Sequence, residues 1–315
     1  MSAALDIIIV NWNAGIQLRG CLDSILAARR DGFELDRVVV VDNASEDGSA
    51  DGLDGLDLPL VIQRNQENRG FAVASNQGAS GSQADYLLFL NPDTRLYIDS
   101  LATPLAYLDR PENAGVGIVG IQLVNEAGRV HRSCARLPTP GRYLAMMAGL
   151  DRLLPCFFPS HFMTEWDHQD SREVDQVIGA FFLVRRTAFE TLGGFDERFF
   201  VYFEDVDFAL RARNAGWRSY YLATARAYHR GAGTTEQAKA LRLHYNLRGR
   251  ILYSFKHFGQ FSAALVTLAT LLIEPVSRVV LAMARRSPTE ALDTLRGYAR
   301  LWSEVPTLLK TARKL

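Results

Sequence analysis

Three apolar runs near the start of the chain each end in acidic or amide side chains. The pairs at these ends are Asn11 with Asn13, Asp42 with Asn43, and Asn91 with Asp93. Carboxylates and a phosphate are all negatively charged, so they can share one site only if a hard cation lies between them. Mg²⁺ or Mn²⁺ bound by one or two carboxylates plus diphosphate oxygens fits this set. The alternative for each pair is a turn in which Asn, Pro and Asp serve only the backbone.

A second acidic group comprises Glu204, Asp205 and Asp207, at the start of a helix that we predict over residues 204–215. Capping and the helix dipole alone favour acidic residues at such a position. Three acids in four positions nevertheless exceed what capping needs, because their charges repel one another. His229 follows an apparent strand over Tyr220–Ala223, and a lone histidine is more often structural than a metal ligand.

The elements that must position the first group form a β-α-β-α-β pattern, which is typical of a parallel sheet with helices on its faces. The predicted strands are Leu5–Asn11, Arg37–Val41, the weaker Leu60–Gln63, and a run from Tyr86 that Pro92 should end by about Asn91. The last is apolar on both faces and suits a central strand. Because carboxyl ends of parallel strands share one edge, we expect the polar pairs to converge there, which favours a site over three unrelated turns.

Missing motifs and the number of cysteines argue against several classes of protein. There is no Gly-x-Gly-x-x-Gly after the first strand and no P-loop sequence, which argues against dinucleotide-binding and P-loop folds. Three widely spaced cysteines argue against a disulfide framework or a zinc site and fit a reducing compartment. The amino-terminal stretch lacks a basic region followed by a long apolar one, so we expect no signal peptide.

The polar strand ends and their surroundings resemble an inverting family 2 glycosyltransferase with the GT-A fold. The stretches that carry the resemblance are Ile7–Asn13, Val38–Ser45, Asn68–Asn76, Leu87–Asp93, Gly179-Ala180, Gly193–Glu197 and Phe200–Asp207. They occur in the family's order, and they are similar to the branch that includes many bacterial rhamnosyltransferases. The resemblance covers roughly Leu5–Gly233 and implies an α/β fold, with a Rossmann-like, mostly parallel sheet flanked by helices. Beyond it, the sequence pattern predicts a C-terminal helical extension.

The resemblance also implies roles in donor and metal binding. It places Asp42 against the nucleotide base or ribose, with Val10 and Asn13 lining the same pocket. It assigns the loop beside the nucleotide to Asn68, Arg69 and Gly70. Asn91-Pro92-Asp93 stands where many members have Asp-x-Asp, so Asn91 replaces the first carboxylate and Asp93 is the main acidic metal ligand. His229 would complete the metal site, where a neutral imidazole suits Mn²⁺ better than Mg²⁺.

Inverting transfer needs one carboxylate base near the acceptor hydroxyl and a metal that neutralises charge on the departing diphosphate. The resemblance implies that Asp205 is this base and that Glu204 orients hydroxyl groups, while Asp207 supports the helix. Gly179 and Ala180 interrupt an apolar strand over Gln176–Val184. Small residues there let another group approach the backbone closely, on the acceptor side of the site, although a simple bulge is compatible with the same pattern.

The middle of the chain supports fewer predictions. We expect Val116–Gln122 to form a strand and to pair with Arg129–Arg132 in a hairpin near the edge of the sheet. The four arginines between residues 129 and 142 are either solvated surface charge or ligands of diphosphate or an anionic acceptor. The stretch 142–170 contains Pro155 and Pro159, which suggests an irregular acceptor-side lid or loop.

The C-terminal region is basic and largely helical by pattern. Met1–Ala225 has 20 basic and 30 acidic residues, whereas Arg226–Leu315 has 15 basic and 5 acidic ones. Phe261–Ile273 lacks charge but is shorter than the ~20 residues of an ordinary membrane span, and Pro275 would kink it. We therefore expect either an in-plane anchor on an anionic membrane, through Arg285, Arg286, Arg296, Arg300, Lys310, Arg313 and Lys314, or a helical homodimer interface.

These observations predict a catalytic domain over residues 1–233 and a basic helical region over 234–315. Within the first, residues 1–122 would form the donor-binding half and 123–233 the acceptor-side half. The expected activity is metal-dependent inverting transfer of a sugar, favoured to be L-rhamnose from dTDP-rhamnose, to a glycan or lipid-linked glycan in cell-surface polysaccharide synthesis. We expect a cytoplasmic protein, peripheral on the inner face of the cytoplasmic membrane.

The sequence leaves alternatives to this activity. A UDP-hexose donor, or a non-catalytic nucleotide- or glycan-binding module on the same fold, are the alternatives closest to it. Nucleic-acid binding is disfavoured, because the basic tail lacks the interleaved aromatic residues that stack on single strands.

Overall fold

A computed structural model describes residues 2–231 and 239–312. They form two compact units. The first is the described part of Met1–Arg136, Trp166–Glu197 and Glu204–Thr234, and the second that of Leu137–Glu165, Arg198–Phe203 and Thr235–Leu315. The predicted domain boundary between residues 233 and 234 lies outside the described residues, as do Arg313 and Lys314.

The strands of the first unit alternate with short helices. The strands are β1 (Ala3–Asn11), β2 (Phe33–Asp42), β3 (Leu60–Arg64), β4 (Tyr86–Leu90), β5 (Thr94–Leu96), β6 (Val116–Val124), β7 (Cys134–Ala135), β8 (Arg172–Val174), β9 (Gln176–Val177), β10 (Phe181–Arg185) and β11 (Arg218–His229). The α-helices among the described residues are α1 (Ile16–Ala27), α2 (Phe71–Ala79), α3 (Ala102–Leu108), α4 (Pro140–Met147), α5 (Leu150–Leu153), α6 (Arg186–Thr191), α7 (Glu204–Asn214), α8 (Lys239–His257), α9 (Gln260–Leu272), α10 (Glu274–Ala284) and α11 (Pro288–Ala312).

The main sheet has the order β3-β2-β1-β4-β10-β6-β11-β5, with β8 also paired to β11. Strands β3, β2, β1 and β4 are parallel, and β6 and β11 pair in parallel with each other. This confirms the mostly parallel sheet flanked by helices. Strand β10 runs antiparallel between β4 and β6, so the sheet is mixed. All five residues of β4 are buried, as expected for a central strand.

The predicted edge hairpin after β6 was wrong in two respects. Strand β6 lies inside the sheet, paired with β10 on one side and β11 on the other, and its nine residues are all buried. Beyond the turn at Asn125, only a single bridge joins Val124 to Val130, so residues 129–132 do not form a strand.

The second unit, where described, is helical and contains α4, α5 and α8–α11. The predicted irregular segment over 142–170 therefore begins in helices α4 and α5. Pro275 does not kink one helix; it occupies the first turn of α10, where its missing N–H costs no hydrogen bond. Inside the unit, Arg250 of α8 forms a buried ion pair with Glu274, which also pairs with Arg278 at 2.8 Å. By length and composition, Gln260–Ala284 could cross a membrane, with a mean hydropathy of 1.8.

Candidate active site

The carboxyl ends of β1 and β2 meet through side-chain hydrogen bonds, as their polar residues predicted. The amide Nδ2 of Asn11 donates to Asp42 Oδ1 at 2.8 Å, and to the hydroxyl groups of Ser45 and Ser49 at 3.0 and 2.9 Å. Asp42 is only 4% exposed, and its other oxygen lies 3.8 Å from the guanidinium of Arg64. The carboxylate is therefore held in one orientation at the edge of the sheet.

Val10 and Asn13 flank this carboxylate in different environments. Val10 is buried in a small apolar cluster with Val39, Val41 and Ala74. Asn13 is exposed, and its side-chain oxygen Oδ1 accepts the backbone N–H of Glu46 at 2.8 Å. Asn13 thus closes the loop that follows β2, while Val10 anchors the strand end beneath it.

The loop over residues 68–70 is organised by Asn43, which sequence reasoning noted only as a polar strand end. Its buried Nδ2 donates to Asn68 Oδ1 at 2.9 Å and to the carbonyl of Gly70 at 3.1 Å. Its Oδ1 accepts the backbone N–H of Arg69 at 3.1 Å. Gly70 has a φ of +86°, a conformation that favours glycine, and it directly precedes α2. The side chain of Arg69 is left exposed at this edge.

The turn over Asn91–Asp93 lies at the end of β4. The backbone N–H of Asn91 donates to the carbonyl of Ala180 at 3.1 Å, and that of Thr94 donates to the carbonyl of Asn91 at 3.1 Å. The turn therefore serves the backbone and presents Asp93, which is 8% exposed. Burial, and then the Asp93 carboxylate, raise the pKa of the Cys21 thiol, so that cysteine is inert.

Asp93 and His229 lie together at the candidate metal position. His229 Nε2 is 3.4 Å from Asp93 Oδ1, and the pairing of β5 with β11 sets His229 opposite Thr94. His229 ends β11, whereas the sequence placed it after a shorter strand. Its buried Nδ1 finds no hydrogen-bond partner among the described residues. Within residues 2–231 and 239–312, no three His, Cys, Asp or Glu side chains are grouped closely enough to hold a metal.

This donor set fits a cation whose remaining ligands come from the substrate. One carboxylate and one imidazole leave positions for diphosphate oxygens, which is the usual way Mg²⁺ and Mn²⁺ bind at phosphate-transfer sites. His131, which sequence reasoning missed, lies beside the pair, with its ring centroid 6.2 Å from that of His229. Burial, and then the neighbouring His229, lower the pKa of His131. The only signal in the sequence was its position just beyond the carboxyl end of β6.

Asp205 occupies the start of α7 and faces the break between β9 and β10. Its Oδ2 accepts the backbone N–H of Gly179 at 3.0 Å, and its Oδ1 accepts that of Val206 at 2.8 Å. Burial raises the pKa of Asp205, and these hydrogen bonds, together with one from Gln176, oppose the rise. The carbonyl of Ala180, the next residue, accepts the backbone N–H of Asn91. The two residues Gly179-Ala180 therefore join the Asp205 carboxylate to the Asp93 turn through hydrogen bonds.

The other two acids of α7 have separate environments. Glu204 is 6% exposed, and its Oε2 finds no hydrogen-bond partner among the described residues. Burial, followed by the Asp205 charge, raises the pKa of Glu204 well above 4.5. Asp207 is fully buried and pairs with Arg211 at 2.7 Å, which supports the helix as expected.

The comparisons with known proteins agree with this geometry. The model of the family "Glycosyl transferase family 2" matches residues 6–193, more than half of the chain. The chain is 27% identical over 315 aligned residues to the N-acetylglucosaminyl-diphospho-decaprenol L-rhamnosyltransferase of Mycobacterium tuberculosis, covering 94% of this chain and 99% of that protein. It is 31% identical over 189 residues to rhamnosyltransferase WbbL of Escherichia coli, covering 57% of this chain and 67% of that one.

Solved structures show the same fold at low identity. A mannosyltransferase from Pyrobaculum calidifontis, in complex with GDP-Man and Mn²⁺, superposes with a TM-score of 0.55 at 18% identity, over 99% of this chain and 86% of that one. GalNAc-T7 with UDP, GalNAc and Mn²⁺ gives a TM-score of 0.54 at 14% identity, over 85% and 54%. With the family model, the relatives and the fold in agreement, this chain belongs to glycosyltransferase family 2 and is a rhamnosyltransferase-like enzyme of the GT-A fold.

Proposed function

We propose that this enzyme transfers L-rhamnose from dTDP-rhamnose to a hydroxyl group of a lipid-linked glycan, with inversion at the anomeric carbon. The observation that carries the proposal is the bridge Gly179-Ala180, which joins the Asp205 carboxylate to the Asp93 turn. An acceptor base and a diphosphate site are the two groups that inverting transfer requires. The choice of sugar and acceptor follows the name of the Mycobacterium tuberculosis relative, with which this chain aligns over 94% of its length.

In the proposed reaction, the oxygen of the acceptor hydroxyl forms a bond to the anomeric carbon, and Asp205 accepts the proton of that hydroxyl. The bond between that carbon and the diphosphate oxygen breaks on the opposite face, and dTDP leaves. Backbone N–H groups on both oxygens of Asp205 fix its orientation before the acceptor arrives. Glu204, with an unpartnered Oε2, is positioned to orient a sugar hydroxyl.

The donor is bound by the edge of the sheet. Asp42 contacts the nucleoside, and the exposed Arg69 lies in the loop held by Asn43. Asp93 and His229 would hold Mn²⁺ or Mg²⁺, which when bound neutralises charge on the diphosphate. The imidazole favours Mn²⁺. A lipid-linked acceptor implies that the enzyme works at the cytoplasmic face of the membrane, in the synthesis of cell-surface polysaccharide.

A thermal-shift panel of nucleotide sugars, with and without Mn²⁺, tests the donor. A ligand that binds only the folded state stabilises it by RT ln(1 + [L]/Kd), so the true donor should give the largest rise in melting temperature. We expect that donor to be dTDP-rhamnose with Mn²⁺ present. A larger rise with a UDP-hexose would replace the sugar assignment. No rise with any nucleotide sugar would contradict the proposed transferase.

A further inference from the structure

Helix α9 has its apolar side chains on the opposite face from that expected of a helix in a globular unit. The face that packs inside the second unit has one valine and otherwise alanine and threonine: Ala263, Val266, Thr267, Ala269 and Thr270. The exposed face has larger ones, spaced at four, three and four residues: Phe261, Leu265, Leu268 and Leu272. Burying large apolar side chains and exposing small polar ones is the favourable arrangement in water. The outer face of α9 is therefore suited to an apolar medium.

The same spacing recurs on α10. Val276, Val280 and Met283 are 62%, 59% and 69% exposed and share one face of that helix. We call these three residues, with the four exposed residues of α9, the apolar stripe. Of the twenty-one large apolar side chains that are exposed in the described residues, sixteen belong to the second unit. The exposure is thus concentrated in one unit and is not scattered over the surface.

Cationic residues follow the apolar stripe in the sequence and lie on α11, which packs against α10. Arg285 and Arg286 come directly after the last residue of α10, Ala284, and are exposed. On α11, the exposed Arg296 and Arg300 lie beside an outer face that includes the half-exposed Trp302, whose Nε1 donates to the carbonyl of Leu271 at 3.3 Å. By sequence, the second unit has 16 basic and 7 acidic residues. Apolar side chains rimmed by cations, with a tryptophan beside them, are typical of helices that lie in a membrane interface.

The apolar stripe could be covered by a second copy of the chain, by the interior of a bilayer that the segment crosses, or by the surface of a membrane. Charge decides between these three arrangements. A second copy would bring another unit of net charge +9 against the first, and the two would repel. A transmembrane path for Gln260–Ala284 would place Glu274 and Arg278 near the bilayer centre, where charged groups are costly. Glu274 is instead paired with the buried Arg250 of α8 inside the same unit. An anionic lipid surface complements both the apolar stripe and its cations.

We propose that the apolar stripe and the arginines after α10 and on α11 dock the enzyme in the plane of an anionic leaflet, with α9 and α10 lying on the membrane. The proposal rests on the proposed function in one respect, since a lipid-linked acceptor is anchored in that leaflet.

Flotation with lipid vesicles tests the docking surface. The full chain should bind vesicles of phosphatidylglycerol mixed with phosphatidylcholine, and should bind phosphatidylcholine alone much less. Leu268→Glu, at a side chain that is 57% exposed, should lower vesicle affinity by about tenfold or more, because a carboxylate replaces an inserted apolar group. The matched control is Ile98→Glu in the first unit, where the side chain is 60% exposed, and it should leave binding unchanged.

Two further measurements keep the outcome clear. Arg296→Gln with Arg300→Gln should weaken binding and reduce its sensitivity to salt, without altering the apolar stripe. Sedimentation equilibrium without lipid should give the same mass for the wild type and Leu268→Glu. Equal loss in Leu268→Glu and Ile98→Glu, no binding by the wild type, or a dimer that Leu268→Glu dissociates would overturn the proposal.

The nucleotide-sugar thermal shift separates this proposal from the proposed function. Failure to bind vesicles with an intact dTDP-rhamnose shift overturns the docking surface alone. Vesicle binding without a shift from any nucleotide sugar contradicts the proposed function and leaves the docking surface standing.

Discussion

Asp93 is the single carboxylate of the candidate metal pair, because Asn91 occupies the position where many family members have a second acid. An amide can accept a ligand bond but supplies no charge. The contact of Asp93 with His229 at 3.4 Å therefore makes each of the two residues more important than in a site with two acids.

We predict that Asp93→Ala removes the increase in nucleotide-sugar affinity that Mn²⁺ provides, since the remaining imidazole cannot balance the cation. Titration calorimetry of dTDP-rhamnose with and without Mn²⁺ measures this. Asp54→Ala, at an exposed loop acid, serves as the control. An unchanged Mn²⁺ dependence in Asp93→Ala would defeat the assignment of this residue.

Glu204 gives a prediction about pH and stability. Burial raises its pKa in the folded state above 4.5, so the folded protein binds this proton more tightly than the unfolded chain does. The free energy of unfolding therefore falls as pH rises through the raised pKa. Each tenfold difference in proton affinity contributes about 1.4 kcal/mol.

Glu204→Gln should accordingly increase the free energy of unfolding relative to the wild type at pH 8, and change it little at pH 4. Urea unfolding at the two pH values measures the difference, with the exposed Glu34→Gln as the control. The same change at both pH values would show that burial of the charge is not the cause.

Individual residues show what the sequence could not reveal. Asp42, Asp93 and Asp205 could be picked out because their types and positions fit the chemistry and the family. The roles of Asn43 and His131 depend on which side chains meet them across the fold. Asn43 reaches Asn68 over 25 positions, and His131 meets His229 over a longer separation. No local pattern encodes such contacts.

Among the elements, the packing of α2 on the sheet depends on one glycine. A Cβ at Gly78 would lie 2.6 Å from Ile8 Cγ2 and 3.1 Å from Val41 Cγ2, and both side chains are fully packed in β1 and β2. Gly78→Ala should therefore lower the free energy of unfolding by about 1–3 kcal/mol, as overpacking usually does.

The matched substitution is Gly141→Ala in α4, where the added methyl group would meet nothing within 4 Å. There alanine should raise the free energy of unfolding by about 0.5–1 kcal/mol through helix propensity. Chemical denaturation of both variants measures the contrast. A stabilising effect of Gly78→Ala would mean that α2 does not approach the sheet this closely.

Elements with a strong local pattern were predictable, and elements defined by distant pairing were not. Strands β1 and β4 contain apolar runs that end in polar turns, and they were identified close to their observed bounds. For β2 only the apolar part Arg37–Val41 was identified, because its first residues, from Phe33, alternate with polar ones. The place of β10 between β4 and β6 depends on backbone pairing over about ninety residues. Since both faces of β6 are apolar, its sequence did not show whether it lies inside the sheet or at an edge.

At the scale of the whole molecule, the basic residues and the exposed large apolar side chains are both concentrated in the C-terminal part of the chain. The sequence showed an acidic first part and a basic C-terminal part, and it left open whether the apolar C-terminal segment is buried, shared with a second copy or placed against lipid. Phe261 and three of the four leucines of α9 are exposed, whereas its buried residues are alanine, threonine and one valine. That distinction requires knowing which helix face packs, which the hydropathy of the segment does not give.

The claim that Asp205 is the base of a sugar transfer is tested most directly by one measurement. Wild type and Asp205→Asn are given labelled dTDP-rhamnose, Mn²⁺ and an N-acetylglucosaminyl-diphospho-polyprenol acceptor, and label in the lipid fraction is followed with time. The exposed Asp36→Asn serves as the control. We predict transfer by the wild type and the control, and turnover lower by about 10²–10⁴ in Asp205→Asn with donor affinity unchanged. Near-normal turnover by Asp205→Asn would contradict the account.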